Sequence, residues 1–512
     1  MYKLNFSAKR ALRVLPIAGL LLASSWASAT DYHFRVFSPA LRASAASTLA
    51  FQDGAGIVRP SLSFLETAVG SNSIPSSVVL KNIGKNPLVF DATPVSVPAP
   101  FSLSSTTCAG TLAPEATCTV NAIFSPSAAL AYSGPAYHLT LNANLPTPSL
   151  PLTGTGTLVG IAQIVTAALG DSTFVQKTDG SWAATGFNYY GQLGLGHNTQ
   201  QDSFVTVPAL FGASLVVPGA MHTFAKFPNG SWAATGSNSF GQLGRGDTMD
   251  QMSFTNVPAL AGASQVLVAM NGTFAKLANG SWAAAGYNGN GSLGLGNLGQ
   301  SASFVVVSGL AGASQLALGG SYTFAKLSNG TWVATGENGH GQLGLGYSNG
   351  SSHFSTFFAI PALAGASQVV AGAAHTFAKL SNGSWAATGY NGDGGLGLGH
   401  TEWLSSFTIV PDLTGASEVV AGRSYTLAKL SNGSWAGAGD NWYGQLGLGG
   451  ESGEVWFTAI PALAGADKVV PGGNHVFAKL SNGSWAATGN NDYGQLGNGS
   501  TTQLSSFSTV TP

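Results

Sequence analysis

The sequence is short of charge. Asp, Glu, Lys and Arg make up 8% of its 512 residues, against roughly 25% in an average soluble protein, so solubility has to rest on Ser, Thr, Asn and exposed backbone. A formal net charge of −1 leaves no electrostatic footprint for nucleic acid. Cysteine is scarcer still: Cys108 and Cys118 are the only two, and no metal-ligating or catalytic residues group around them. No stretch of about 10–15 residues shows a 3.6-residue apolar period, so helices should be nearly absent. The apolar run Val14 to Ala23 is too short for a permanent bilayer span, and Ser505 to Pro512 show neither an apolar tail nor a basic stop. No membrane span is expected. Glycine is abundant, at 70 residues, but does not fall at every third position, which excludes collagen.

A repeat organises what remains. Tryptophans stand at Trp182, Trp232, Trp282, Trp332, Trp385, Trp435 and Trp485, 50 residues apart except for three extra before Trp385. A fixed period of this length marks one supersecondary unit copied until the copies bury one another's faces. In HTFAKLSNGSWAATG, His375 to Gly389, two short alternating runs flank Asn382-Gly383. That pair predicts a two-residue hairpin of type I′, with positive φ at both positions. The glycine-rich NxxGQLGLG follows, fullest at Asn441 to Gly449, then a polar loop and a strand such as Phe204 to Pro208. VVxG near Val216 to Gly219 opens the next unit. About four strands per copy give an all-β protein, and seven such copies fit a propeller.

The pattern aGxxHTFAKLxNGSWAATGxNxxGQLGLG resembles the repeat of the regulator of chromosome condensation family, which implies a seven-bladed β-propeller over residues 158–512. The first copy begins at Leu158 to Val165 without a preceding FxxVP strand, and the last ends with an extra one, Phe507 to Thr511. That C-terminal strand is expected to complete the first blade, closing the ring and removing its last open edge.

Residues 1–29 pair Lys3, Lys9, Arg10 and Arg13 with the apolar run and the small-residue end Ala27-Ser28-Ala29, the order of a secretory signal peptide. The protein is therefore expected to be exported: secreted, periplasmic or at the cell surface. No cysteine follows the cleavage point to carry a lipid anchor. Residues 30–60 read as an extended segment or linker, with one strand at Tyr32 to Phe37 and small residues from Ala43 to Gly56. Residues 61–157 hold about seven short alternating strands with Pro, Gly and Asn between them, the pattern of an immunoglobulin-like β-sandwich. PFSLSSTTCAGTLAPEATCTVNAIFSP and LPLTGTG resemble modules of the ASPM, SPD-2 and hydin type, common in exported bacterial proteins. Two cysteines in an exported chain imply one disulfide, Cys108 to Cys118, which chain-entropy arguments value at about 2–3 kcal/mol.

Motifs for chemistry dissolve into the repeat. GNGSLG, GHGQLG and GDGGLG satisfy a dinucleotide fingerprint on paper, but none opens a helix after a parallel strand, so they read as turn glycines. GYSNG at Gly346 to Gly350 lies in a loop without acid and base partners. Sequons at Asn229, Asn279, Asn329, Asn382, Asn432 and Asn482 coincide with the turn that already demands Asn-Gly. His222, His375 and His475 share one repeat position with Ser172, Gly272, Tyr322 and Tyr425, and read as structural rather than metal-binding. Lys226, Lys276, Lys326, Lys379, Lys429 and Lys479 read as a solvated strand face. No catalytic residues, metal or cofactor are proposed.

Variation between copies carries the functional signal. The window before GQLG reads FNYY, SNSF, YNGN, ENGH, YNGD, DNWY and NNDY. Aromatics gather there and just beyond: Phe187, Tyr189, Tyr190, Phe240, Tyr287, Tyr390, Trp442, Tyr443 and Tyr493, with Trp403 and Trp456 further on. Such residues on loops of a rigid scaffold suit a binding surface, or they pack between blades. The candidate surface is Glu402, Trp403, Trp442, Tyr443, Glu454 and Trp456. The favoured reading is a monomeric, non-catalytic binding or adhesion protein for an extracellular protein or glycan. A secreted inhibitor of the propeller-type β-lactamase inhibitory kind is the alternative. Guanine-nucleotide exchange is disfavoured, because export would separate the protein from cytosolic GTPases. The exported protein should begin at Thr30; an intact mass that retains residues 1–29 would refute the signal-peptide reading.

Overall fold

The computed structural model describes residues 49–511 apart from 65–66, 70–71, 135, 144–148, 158–159 and 349–352. The signal-peptide reading and the strand at Tyr32 to Phe37 lie outside the described residues. The chain divides into two units between residues 158 and 159.

In the first unit two sheets enclose one core. Leu49–Gln52, Ser76–Asn82, Thr117–Phe124 and Phe101–Thr106 form a four-stranded sheet in that order. The other sheet runs Leu62–Ser63, Ser149–Thr157, His138–Ala143, Leu88–Ser96 and Thr111–Leu112, with two short strands added to Ser149–Thr157. Alternation places Val78, Leu80, Val120, Phe124, Leu139 and Leu141 inside, each at 0% exposure, as strands with one buried face require. Cys108 and Cys118 are joined beside this core. One expectation needs correction. Part of the stretch read as linker, Leu49–Gln52, is an edge strand, because its backbone completes the ladder of Ser76–Asn82 in register from Leu49 opposite Asn82.

The second unit is seven successive four-stranded antiparallel sheets, at 161–206, 215–256, 265–306, 315–359, 368–409, 418–459 and 468–510. In every sheet the strands pair in chain order. The helices among the described residues are one-turn 3₁₀ segments such as Pro461–Leu463, whose leucine is fully buried. The hairpin differs from expectation. Only Gly383 of the Asn-Gly pair has positive φ, 84°, and its amide donates to the Leu380 carbonyl at 2.9 Å while the Leu380 amide donates to Ser384. This is a type I turn closed by a left-handed glycine. Asn382 earns its place through its side chain, whose Oδ1 accepts the Ser384 amide at 3.0 Å, an Asx turn.

The repeated tryptophan fastens each sheet to the segment that follows it. The indole Nε1 of Trp182, Trp232, Trp282, Trp332, Trp385 and Trp435 donates to the carbonyl of Ala213, Ala263, Ala313, Ala366, Ala416 or Ala466, at 2.9–3.4 Å. The lysines therefore do more than face solvent. In five sheets Lys Nζ lies 5.5–5.9 Å from the centre of the following indole ring, and four of these ammonium groups also donate to a carbonyl of the connecting segment. The aliphatic stem covers the tryptophan while the ammonium keeps polar partners.

Closure also differs from expectation. Leu504–Val510 pairs with Trp485–Gly489 in its own sheet, and the first sheet has a first strand of its own, Ile161–Thr166. FxxVP is thus the fourth strand of the sheet that precedes it, so no sheet is left incomplete. The seventh and first sheets join by the contacts that join the others. Thr173 and Thr185 hydroxyls donate to the Gln495 and Gly494 carbonyls at 2.8 and 2.7 Å, as Thr223 and Thr235 do to Gln192 and Gly191. Trp485 alone among the seven has a buried Nε1 without a partner. Trp232→Phe should therefore destabilise by about 1–2 kcal/mol more than Trp485→Phe, because only the former removes the donor to a buried carbonyl, that of Ala263, which Lys226 does not reach; equal losses in denaturant unfolding would refute the clamp.

Candidate interaction surface

Antiparallel pairing gives each sheet two distinct ends. The turn between strands one and two and the long loop between strands three and four share one end; the SNG hairpin and the connection to the next sheet share the other. All six predicted surface residues stand at the loop end. Their loop is stiff. In the sixth sheet the buried Asn441 accepts the Leu446 amide at 2.8 Å and donates to the Gly450 and Ser452 carbonyls at 2.9 and 3.0 Å. Trp442, held between these anchors, is 74% exposed.

The other predicted residues separate. Trp403 is 53% exposed yet packs edge-on against His340, ring centres 4.5 Å apart, and tilted against Tyr390 at 5.5 Å. Tyr443 is half-buried, its amide donating to Gln445 Oε1 at 3.0 Å. Trp456 lies on the fourth strand over Gly399, where an added Cβ would collide with the indole. Glu402 is exposed beside Trp403. Glu454 accepts the Thr458 hydroxyl at 2.8 Å.

Several window aromatics pack between sheets. The fourth window residue of one sheet meets the first of the next: Phe240 with Tyr287 at 5.0 Å, His340 with Tyr390 at 5.4 Å, and Tyr493 with Phe187 at 4.8 Å. Between the fifth and sixth sheets these two positions hold Asp393 and Asp440. Burial raises the Asp440 pKa, the Trp442 amide offsets part of that, and the charge of Asp393 raises it further. Aligning each window with the next one in sequence would have revealed this exchange.

Beneath the loops, the histidine position is a strut to the next sheet. His222, His375 and His475 are at most 1% exposed, and their Nε2 atoms meet the Thr273, Thr426 and Thr173 hydroxyls at 2.8, 3.1 and 3.3 Å. Tyr322 and Tyr425 donate instead to the His375 and His475 carbonyls, at 2.6 and 2.8 Å. At Gly319, Gly372, Gly422 and Gly472 the aromatic ring three residues on leaves no room for a Cβ. Where that ring is absent the glycine is absent too, as Leu169 with Ser172 and Ala269 with Gly272. This reciprocal pairing was legible in the repeat alignment and was missed. Among the described residues no group of three or more His, Cys, Asp or Glu is placed to hold a metal ion.

The arrangement matches solved structures. Prp20p of Saccharomyces cerevisiae superposes with a TM-score of 0.57 at 18% identity, over 68% of this chain and 88% of that one. Human WBSCR16 superposes with a TM-score of 0.57 at 17% identity, over 65% and 95%. A second structure of the yeast protein, there called RCC1 and bound to Kap60, gives the same TM-score. The fold is that of an RCC1-type propeller. No family model matches the sequence, and a search of curated proteins finds no match.

The propeller's buried imidazoles set a pH dependence. Burial lowers the pKa of His222 and His475 to about 3 and of His375 to about 4, from 6.5. The unfolded chain therefore binds more protons than the folded one between roughly pH 3 and 6.5, so their contribution is complete above that window and is lost as pH falls through it. His375→Tyr, the residue that sheets four and six carry there, should flatten the fall in melting temperature between pH 6.5 and 4. An unchanged slope would remove His375 as a cause.

Proposed function

We propose that the chain is an exported, non-catalytic binding protein in which residues 158–512 form a seven-bladed interaction head and residues 61–157 an immunoglobulin-like module. The observation that carries this reading is Trp442, a large apolar side chain left 74% exposed on a loop whose backbone is held by a buried asparagine. Rigid exposed aromatics on preorganised loops are what interface anchors look like before the partner arrives. Yeast Prp20p, which shares the fold, binds Gsp1p and histones, so this scaffold is compatible with protein recognition; partner identity does not transfer with a fold.

The head should be used as bait in the native extracellular milieu, and the captured partner titrated against variants. Trp442→Ala is expected to weaken binding roughly thirtyfold, the effect of removing about 2 kcal/mol of anchor, while changing stability by no more than about 0.5 kcal/mol. Full affinity in Trp403→Ala, Trp442→Ala and Trp456→Ala combined would discard this surface.

A further inference from the structure

Charge in the propeller is sorted by end. All eight lysines beyond residue 160 stand at the hairpin end, with Asp179, Asp412, Glu418 and Asp467. The remaining eleven carboxylates of this region stand at the loop end, where the cations other than histidine are two arginines, Arg245 and Arg423. Both arginines are engaged internally. Arg245 Nε lies 3.5 Å from Asp247, and Arg423 donates to the Leu169 carbonyl at 3.2 Å beside Asp171.

Sheets five to seven concentrate the imbalance. Asp393 and Asp440 occupy the junction where other sheets stack rings, Asp393 beside the Tyr390 hydroxyl and Asp440 accepting the Trp442 amide at 3.0 Å, and Asp492 accepts the Asn490 side-chain amide at 2.8 Å. These partners are neutral, so the carboxylates are hydrogen-bonded without being compensated. Below Asp440, the side chain of Gln445 is fully buried and faces its carboxylate. Adjacent like charges cost stability, and a local rule broken without a structural gain points to function. Tyr390 lies beside Asp393, Trp403 packs on Tyr390, and Trp442, whose amide donates to Asp440, leaves its ring open to solvent; aromatic faces attract ammonium and guanidinium groups.

We propose that this end of sheets five to seven docks a basic segment of a partner polypeptide, with lysine or arginine side chains against Asp393, Asp440 and Asp492 and across Trp403 and Trp442. The proposal rests on the interaction-head reading above and names the chemistry of its partner. Complementary charge speeds encounter and excludes wrong partners, and the lysines at the opposite end give the head a single electrostatic orientation toward such a segment.

The test is fluorescence anisotropy of the full exported protein with a labelled peptide of about twelve alternating Lys and Ser residues, against same-length Glu/Ser and Asn/Ser peptides, at about 0.05 and 0.3 M salt. The Lys/Ser peptide should bind at least tenfold more tightly than either control and weaken with salt. Asp393→Asn with Asp440→Asn should reduce its affinity at least tenfold without lowering the melting temperature, and Trp442→Ala should reduce it severalfold; Lys379→Ala, at the other end, should leave it unchanged. Equal binding of the three peptides, or full affinity in the Asp393→Asn/Asp440→Asn variant, would overturn the proposal. If the basic peptide fails while a captured partner still loses affinity on Trp442→Ala, the basic-partner inference falls and the interaction head stands; if both fail, both readings fall.

Discussion

The ring depends on a phenylalanine seated on a glycine. Each sheet's fourth strand carries a Phe that lies on the last glycine of the preceding sheet's GQLG turn or its counterpart: Phe254 on Gly194, Phe304 on Gly244, Phe357 on Gly294, Phe407 on Gly344, Phe457 on Gly397 and Phe507 on Gly447. The seventh seat, Phe204 on Gly497, joins the last sheet to the first. A Cβ at any of these glycines would overlap the ring, and each has φ between 65° and 71°, so only glycine meets both the steric and the backbone requirement. One contact therefore specifies a residue in each of two neighbouring sheets and holds the circle without exchange of a strand.

Around this seat the sheet interior is finished by polar atoms with fixed partners. The tryptophan indole takes a carbonyl from the connection ahead, the strand-two threonines take carbonyls from the sheet behind, and the histidine or tyrosine strut reaches forward. Buried polar groups that are satisfied in this way specify one arrangement, because every alternative leaves a donor or acceptor unpaired. The price of that redundancy is small at the surface. Loops at one end can vary freely, since Asn441 and its equivalents hold their backbones whatever the neighbouring side chains are. The aromatic pairs at three junctions, the aspartates at a fourth, and the open Trp442 are alternatives tried on the same frame.

Much of this was legible in the sequence. The tryptophan period, the alternation in HTFAK and WAATG, and the glycines of GQLGLG are enough for repeated four-stranded units, because strand alternation and turn glycines are local requirements that each copy must meet alone. The two cysteines and the alternating strands near them were likewise readable from a short stretch. The Gly-aromatic reciprocity at Gly372 and His375, with its inverse at Ala269 and Gly272, was also on the page.

What only the tertiary structure decided concerns contacts between copies. Where a sheet begins within the repeat cannot be read from a periodic string, because every cut gives the same composition; hydrogen bonding placed Leu504–Val510 in its own sheet and so reversed the expected closure. The same holds for the candidate surface. Trp403 meets His340 of the fourth sheet and Trp456 covers Gly399 of the fifth, while Trp442 meets open solvent. In the sequence these are three similar tryptophans in neighbouring loops, and which one is left uncovered is set by what the adjacent sheet places opposite it.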